Sequence, residues 1–339
     1  MLVSMALWDS LAGLEARIDG YSLHRRELPL PSGWTRVTTT VALDGEGEVG
    51  EGEDVTYTAP DHDGFPAGLM LAGTWTLDAY SRRLSELPLW SHEPEMPASV
   101  DYRRWAFESA ALDLALRQSG RSLADAVGRP YRPVRFVAST RADIEPWLDL
   151  NPKLEFKLDV GSDWDAELMR RLAGSDRVRV LDLKAYYRGT SVDLAPDPEL
   201  YRTVAESFPD VLIEDPWLED GCLEALGGAE GRLSFDAPVH SLRDVDSLPL
   251  QPRWLNVKPS RFGTLRSLAE CLDGCEERGI GLYGGGQFEL GPGRRQIQRL
   301  AGLFYPDGPN DVAPKEYNEG GPRPGLAPSP LPPPEGVGF

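Results

Sequence analysis

One repeated pattern, which runs from about residue 132 onward, restricts the fold of this chain more than any other feature. Each repeat has a short β-rich run that ends in polar residues, then a loop and a stretch with helical spacing. Because the connections can hold crossover helices, the pattern predicts parallel strands, and eight such units close into a barrel. The runs span residues 134–139, 154–160, 178–184, 211–216, 232–238, 254–260, 280–286 and 310–314.

An open dinucleotide-binding sheet is the main alternative for such alternating units. That fold favours a GxGxxG turn directly after its first strand, and the segment VRFVASTRAD at 134–143 contains none. We therefore predict a closed α/β barrel rather than an open sheet.

The first part of the chain, residues 1–130, follows a different pattern. Three strand-like runs, with a Gly- and Glu-rich turn between the second and third, precede helical stretches at 77–88 and 102–128. This order predicts an α+β module, followed by a barrel over 131–314. The Pro- and Gly-rich tail is either disordered or packed on the first module, and we assign residues 315–339 to completing that module.

Charge and composition exclude several classes of function. The sequence has 35 Lys and Arg against 54 Asp and Glu, a net charge of −19, which repels nucleic acid and anionic membranes. We find no long apolar run and no basic leader, so we expect a cytoplasmic protein. A homo-oligomer is the default expectation for the oligomeric state. The few histidines and cysteines lack zinc-ligand spacing.

Charged side chains end five consecutive predicted strands. Active sites of parallel barrels lie at the carboxyl ends of the strands, so these residues are the candidates for catalysis. Lysine is depleted in strands and is rarely buried without a partner, which makes solvated strand ends a poor explanation for the whole set. The set consists of Lys157, Asp159, Asp182, Lys184, Glu214, Asp236 and Lys258. Asp215 stands beside Glu214, and we expect it to face away from the others because neighbouring strand residues alternate sides.

Three of these carboxylates predict a metal site. Asp182, Glu214 and Asp236 come from successive strands, and their oxygen donors suit Mg²⁺, with Mn²⁺ as the alternative. A small substrate carboxylate could bind the metal while Lys258 removes the α-proton, or stabilises the enolate electrostatically, and the metal stabilises the enediolate. The alternative for Lys258 is an ion pair with Asp236 and no catalytic role. We expect the metal and neighbouring cations to lower the pKa of Lys258 towards neutrality.

Four motifs in the expected order resemble the enolase superfamily, in its muconate-lactonizing-enzyme and o-succinylbenzoate-synthase branch. VLDLK, IEDP and SFDAP are similar to the strands with the three metal ligands, and NVKPSRFGTL to the strand with the catalytic lysine. The resemblance implies a modified (β/α)₇β TIM-type barrel under an N-terminal α+β capping domain. It also implies Mg²⁺-dependent lyase or isomerase chemistry, with a Lys base and an enediolate.

The same resemblance implies that other segments lie near the substrate. QFELGPG resembles the seventh-strand segment and would place Glu289 beside the substrate, where Gly285 and Gly286 let the backbone approach closely. In the capping domain, the acidic run 45–54 and residues 61–63 are expected in loops above the substrate.

Two positions depart from the family pattern. The KxK of the second strand reads Lys157-Leu158-Asp159, and the DxN of the third reads Asp182-Leu183-Lys184. Asp159 and Lys184 could form an ion pair, or Lys184 could replace the missing base.

The departures bear directly on the reaction. With Lys258 the only lysine in its usual place, dehydration, cycloisomerisation or lactonisation is favoured over racemisation. The alternative is a degenerate barrel that binds a ligand without catalysis. The retained carboxylates and Lys258 argue against it, since a decayed site would have lost some of them.

Overall fold

The computed structural model describes residues 6–30, 33–190 and 192–339. It contains an N-terminal α+β part, which we call the cap, and a C-terminal part built on a parallel sheet. Within the residues described, no helix has both the length and the apolar character needed to span a bilayer.

A three-stranded antiparallel meander forms the sheet of the cap. Its strands are β2 (Gly20–Pro29), β3 (Thr35–Gly45) and β4 (Glu48–Asp54), and a separate pair joins β1 (Glu15–Ile18) to β5 (Gly73–Thr76). The turn between β3 and β4 has positive φ angles at Glu46 and Gly47, as two-residue hairpin turns require. The acidic run 45–54 is therefore mostly a paired strand, and the prediction that it forms a loop above the substrate is wrong.

Helix α3 (Ser99–Gln118) packs directly on this sheet. A Cβ at Gly50 would lie 2.3 Å from the Ala110 oxygen, and one at Gly52 would lie 2.0 Å from the Ala106 oxygen. Glycine is needed at both positions because the two backbones approach so closely. The other cap helices are α1 (Leu7–Leu11), α2 (Leu77–Glu86) and α4 (Leu123–Val127).

The helix predicted over 102–128 is interrupted in the structure. Gly120 has a φ of +63°, and Ser122 and Asp125 form a capping box that starts α4. A left-handed glycine follows the end of α3, and the reciprocal hydrogen bonds of the capping box begin a new helix.

Seven parallel strands form the second sheet in strict sequence order. Helices connect them, so each connection is a strand–helix–strand crossover. The strands are β6 (Ala138–Thr140), β7 (Phe156–Asp159), β8 (Val178–Asp182), β9 (Leu212–Glu214), β10 (Leu233–Phe235), β11 (Trp254–Val257) and β12 (Gly281–Gly284). The helices are α5 (Glu145–Leu150), α6 (Ala166–Gly174), α7 (Pro198–Ser207), α8 (Cys222–Ala225), α9 (Leu242–Ser247), α10 (Leu265–Arg278) and α11 (Pro292–Phe304).

The eighth predicted run joins the two edges of this sheet through single-residue bridges. Asn310 pairs in parallel with Phe136, and Asp311 pairs with Gly285. The Asn310 side chain also accepts a hydrogen bond from the Gly284 N–H at 2.7 Å. The sheet is therefore curled so that both edges reach the same segment, as in a TIM-type barrel.

The C-terminal tail contacts both parts of the chain. Phe339 is fully buried, and its N–H donates to Asp113 of α3 at 2.7 Å. Earlier in the tail, Leu331 forms an antiparallel bridge with Val134, just before the barrel begins.

Candidate active site

Charged residues gather where strands β7 to β11 end. Asp159, Asp182 and Glu214 are the last residues of β7, β8 and β9, and they are Cα partners in the ladder. Asp236 and Lys258 each follow the last residue of their strand, β10 and β11. The parallel register thus brings the predicted strand-end residues to one end of the barrel.

Lys157 lies between two of the predicted metal ligands. Its Nζ contacts Glu214 Oε1 and lies 3.2 Å from Asp182 Oδ2, and the residue is buried. Burial lowers the pKa of Lys157, but the two carboxylates outweigh burial and hold the pKa well above the ordinary lysine value. Lys157 is therefore an ammonium that separates Asp182 from Glu214.

Lys184 is the second ammonium on Asp182. Its Nζ lies 2.5 Å from Asp182 Oδ2 and 3.2 Å from Asp159 Oδ1. The ion pair between Asp159 and Lys184, one of the two possibilities open from sequence, is present, and a base role for Lys184 stays a prediction. Burial raises the pKa of Asp182, but Lys184 and Lys157 together hold that pKa below its usual range.

Asp236 has two cationic partners. Lys258 Nζ lies 2.7 Å from its Oδ2, and Arg261 Nε lies 3.1 Å from its Oδ1. The Tyr187 hydroxyl donates to Asp236 Oδ2 at 3.2 Å and accepts from Arg261 at 2.9 Å. Asp236, Lys258 and Arg261 are all buried, so these charges interact with little screening.

The pKa of Lys258 is governed by Asp236 when no metal is bound. Burial lowers it, but the charge of Asp236 outweighs burial and raises the pKa above the ordinary lysine value. The protein's side chains alone therefore keep Lys258 protonated, and the shift towards neutrality that we expect from a bound metal stays a prediction.

Glu214 is completely buried and accepts hydrogen bonds from polar groups of two further strands. Its Oε2 accepts from the Tyr283 hydroxyl and, at 3.1 Å, from Asn256 Nδ2. Burial, reinforced by the charges of Asp182 and Asp236 and opposed by Lys157, raises the pKa of Glu214 to about 8. Among the three predicted ligands only Glu214 has a raised pKa, because the cationic partners of Asp182 and Asp236 lower the pKa of those two carboxyls.

Asp215 points to the backbone and not to the cluster. Its carboxylate accepts the N–H groups of Asp236 at 2.8 Å and Ala237 at 3.0 Å. This placement agrees with the expectation from side-chain alternation. Asp215 thereby fixes the turn that presents Asp236.

Three candidate substrate-binding residues, Gly285, Gly286 and Glu289, follow β12 and lie in two different environments. A Cβ at Gly285 would lie 3.0 Å from Lys258 Cε and 2.7 Å from Asn256 Oδ1, so glycine leaves room for the catalytic candidate. Glu289 instead accepts the Gln287 N–H at 2.6 Å and pairs with Arg294 at 3.1 Å, and Gly286 lies against it. Glu289 is thus paired with helix α11, and its place beside the substrate stays a prediction.

The cap reaches the barrel through residues that the sequence analysis missed. The guanidinium of Arg36 is fully buried over the Tyr57 ring and donates to the carbonyls of Gln287 and Phe288. Tyr57 donates to Gln287 Oε1 at 3.0 Å and stacks on Trp34. A buried arginine and an aromatic pair carry no recognisable motif, so only their tertiary neighbours reveal the contact.

Two of the cap residues predicted above the substrate have structural partners instead. Asp61 is buried and accepts hydrogen bonds from His92 and from the Glu95 N–H. His62 is buried between Thr39 and the Thr56 carbonyl. Both are engaged within the cap. Asp63 pairs with Arg25 on the exposed surface.

The missed members of the charged cluster itself are Arg261, Tyr187, Asn256 and Tyr283. Arg261 stands three residues after Lys258, in a 3₁₀ turn whose Arg261 N–H donates to the Lys258 carbonyl. That spacing was visible in the motif NVKPSRFGTL. Asn256 and Tyr283 lie inside strands, where a polar side chain that faces the barrel interior was the available signal.

The donor set agrees in chemistry with a magnesium site. Asp182, Glu214 and Asp236 supply carboxylate oxygens from three adjacent strand ends, the type of ligand that Mg²⁺ prefers. Asp236 Oδ1 is buried and accepts no hydrogen bond. In the arrangement seen, no three acidic, histidine or cysteine side chains of the described residues are placed to hold a metal ion. Lysines stand between the predicted ligands, and the metal site stays a prediction.

Comparisons with known proteins place the chain in a family. The model described as "Domain of unknown function (DUF8230) N-terminal domain" matches residues 9–126, and the corresponding C-terminal domain matches residues 130–319. An N-succinylamino acid racemase of Amycolatopsis sp is 29% identical over 217 residues, which cover 58% of this chain. The match covers 56% of the racemase, so the chain spans little more than half of that protein's length.

Solved structures share the fold at low identity. A member of the enolase superfamily from Listeria innocua is 20% identical, with 89% of this chain and 86% of that chain covered and a TM-score of 0.63. Muconate cycloisomerase from Pseudomonas fluorescens is 18% identical, with 88% and 87% covered and a TM-score of 0.66. The chain therefore belongs to the DUF8230 family, and it has the fold of the enolase superfamily that its strand-end motifs predicted.

Proposed function

We propose that this protein is a Mg²⁺-dependent lyase or isomerase that abstracts the proton α to a substrate carboxylate. The observation that carries the proposal is Lys258, a buried lysine at the end of β11, 2.7 Å from the strand-end carboxylate of Asp236. The names of the relatives, a racemase and a muconate cycloisomerase, support an enzyme of this general kind.

The carboxylates Asp182, Glu214 and Asp236 would hold the metal. When bound, Mg²⁺ would supply positive charge against the negative charge that develops on the substrate carboxylate as the α-proton leaves. Lys157 contributes a fixed positive charge at the same place, since it is buried between Asp182 and Glu214.

Lys258 is the proposed base. The charge of Asp236, which Lys258 shares with Arg261, keeps Nζ protonated in the absence of a metal, so Lys258 would accept a substrate proton only when a metal ion also binds Asp236. Gly285 leaves the space in which the Lys258 side chain extends. The protein thus couples occupation of the carboxylate set to the availability of the base.

A reaction with one base is favoured over racemisation. Lys157 is bound by two carboxylates and Lys184 by two, which leaves Lys258 as the lysine in the family's catalytic position. Dehydration, cycloisomerisation or lactonisation needs one base on one face of the substrate, whereas racemisation needs a base on each face.

The test is hydrogen exchange at the α-carbon. The protein is incubated with Mg²⁺ in D₂O with a panel of small carboxylates, including N-acylamino acids and unsaturated diacids, and the α-proton signal is followed by NMR. We expect exchange with at least one acid in the natural protein, and its loss in Lys258→Met.

Lys153→Met is the matched control, because Lys153 is an exposed lysine outside the cluster. It should exchange as the natural protein does, and circular dichroism should show that both variants are folded. Exchange that survives in Lys258→Met removes this residue from the base role. Saturable binding of an acid without exchange or turnover would instead favour the non-catalytic ligand-binding barrel.

A further inference from the structure

Both carboxylate oxygens of Asp182 face hydrogen-bond donors, and two of these donors are ammonium groups. Oδ1 accepts the backbone N–H of Lys184 at 3.0 Å, and Oδ2 faces Lys184 Nζ at 2.5 Å and Lys157 Nζ at 3.2 Å. Lys184 has a φ of +53°, a left-handed conformation that turns its own backbone and side chain back onto the same carboxylate. A metal ion that binds Asp182 through Oδ2 must therefore take a place that an ammonium group holds.

Asp159 offers that ammonium group a second acceptor. Lys184 Nζ lies 3.2 Å from Asp159 Oδ1, and the Asp159 side chain is 38% exposed whereas that of Asp182 is completely buried. Asp159 is the neighbour of Asp182 in the register of β7 and β8. The ammonium can thus leave Asp182 for Asp159 without losing a carboxylate partner, which a largely buried charge requires.

We propose that Lys184 is a built-in competitor of the divalent cation at Asp182, and that Asp159 is the carboxylate that receives Lys184 when the cation binds. The inference rests on the metal site of the proposed function and goes beyond it. Lys184 and Asp159 are positioning residues here: they set the affinity for the ion through the state of Asp182. The two departures from the family motifs then act together, because one supplies the lysine and the other supplies its alternative acceptor on the adjacent strand.

The first measurement is the affinity for Mn²⁺ of the metal-stripped full-length protein, by calorimetric titration at one pH and ionic strength. Lys184→Met should bind Mn²⁺ more tightly by about tenfold or more, since the ion no longer displaces a charge-assisted hydrogen bond. Lys153→Met, the same change at an exposed lysine, should bind as the natural protein does. Equal affinities in Lys184→Met and the natural protein would overturn the proposal.

A double-mutant cycle separates competition from the mere loss of a nearby charge. Asp159→Asn should weaken Mn²⁺ binding severalfold in the natural background, because Lys184 loses its alternative acceptor. In the Lys184→Met background the same change should have a much smaller effect. An equal effect in both backgrounds overturns the role of Asp159. Lys184→Asn provides a second variant if Lys184→Met does not fold.

Glu214→Gln distinguishes this proposal from the metal site on which it rests. Loss of Mn²⁺ affinity in Glu214→Gln supports the carboxylate site, and unchanged affinity there overturns the site itself. Binding that appears only in Lys184→Met would support the competitor role. Absence of binding in the natural protein, Lys184→Met and Lys184→Asn alike would overturn both proposals.

Discussion

Lys258 and Asp236 follow neighbouring strands and form an ion pair of 2.7 Å that is buried from solvent, and Arg261 contacts the other oxygen of the same carboxylate. One acidic side chain thus compensates two buried cations. The pair is both the centre of the proposed chemistry and a condition for the stability of the barrel end.

Asp236→Asn should strongly destabilise the metal-free protein. The change leaves Lys258 and Arg261 buried without their carboxylate, and breaking a buried pair in this way costs about 3–5 kcal/mol. Urea denaturation followed by circular dichroism measures the loss. Asp307→Asn, which breaks an exposed pair with Arg132, should cost less than about 1 kcal/mol and serves as the control. Similar losses in the two variants would contradict the energetic role assigned to Asp236.

His62 should make the stability of the cap depend on pH. Burial lowers its pKa below the ordinary value of 6.5, and its ring nitrogens are engaged by Thr39 and the Thr56 carbonyl. The folded state therefore binds fewer protons than the unfolded state, so the stabilising contribution is present above pH 6.5 and is lost as the pH falls below it.

The measurement is the free energy of unfolding between pH 5 and pH 8. His62→Gln should flatten the decline below about pH 6.5, the ordinary histidine value. His24→Gln, at an exposed histidine on β2, should keep the decline of the natural protein. A decline that persists unchanged in His62→Gln would assign it to other groups.

Gly52→Ala should destabilise the cap. The new methyl group would lie 2.0 Å from the Ala106 backbone oxygen of α3, and backbone atoms on both sides cannot yield as a flexible side chain would. Overpacking of this kind costs about 1–3 kcal/mol or more. Gly13→Ala is the matched control, because nothing lies within 4 Å of the place that its methyl group would take and its φ is ordinary. Thermal unfolding of the two variants should differ by several degrees, and equal midpoints would contradict the close packing of β4 on α3.

Phe339→Ala tests whether the C-terminal tail completes the cap, as we propose for residues 315–339. Phe339 is fully buried and packs edge-on against Trp105 of α3. Truncating a buried phenylalanine costs about 3–5 kcal/mol. Val337→Ala, at a 45% exposed position two residues earlier, should change stability little. A small effect of Phe339→Ala in urea denaturation would mean that the tail adds little to the cap.

Much of the architecture was predictable because it follows from local periodicity. The runs that contain Asp182, Glu214 and Lys258 alternate with helical stretches, and parallel strands place their carboxyl ends together whatever the details of packing. The same logic predicted that Asp215 would turn away from the cluster. Strand polarity and side-chain alternation are properties of the chain itself, so they can be recognised before the fold is known.

The pairing of charges at the site was decided by tertiary distances. The residue order does not show that Lys157 stands between Asp182 and Glu214, that Arg261 shares Asp236, or that Glu289 pairs with Arg294. Several oppositely charged side chains lie near each buried charge. Which of them form ion pairs depends on small differences in distance between strands that are distant in sequence. The sequence by itself determined which charged groups reach the barrel end, and only the tertiary structure decided which of them neutralise one another.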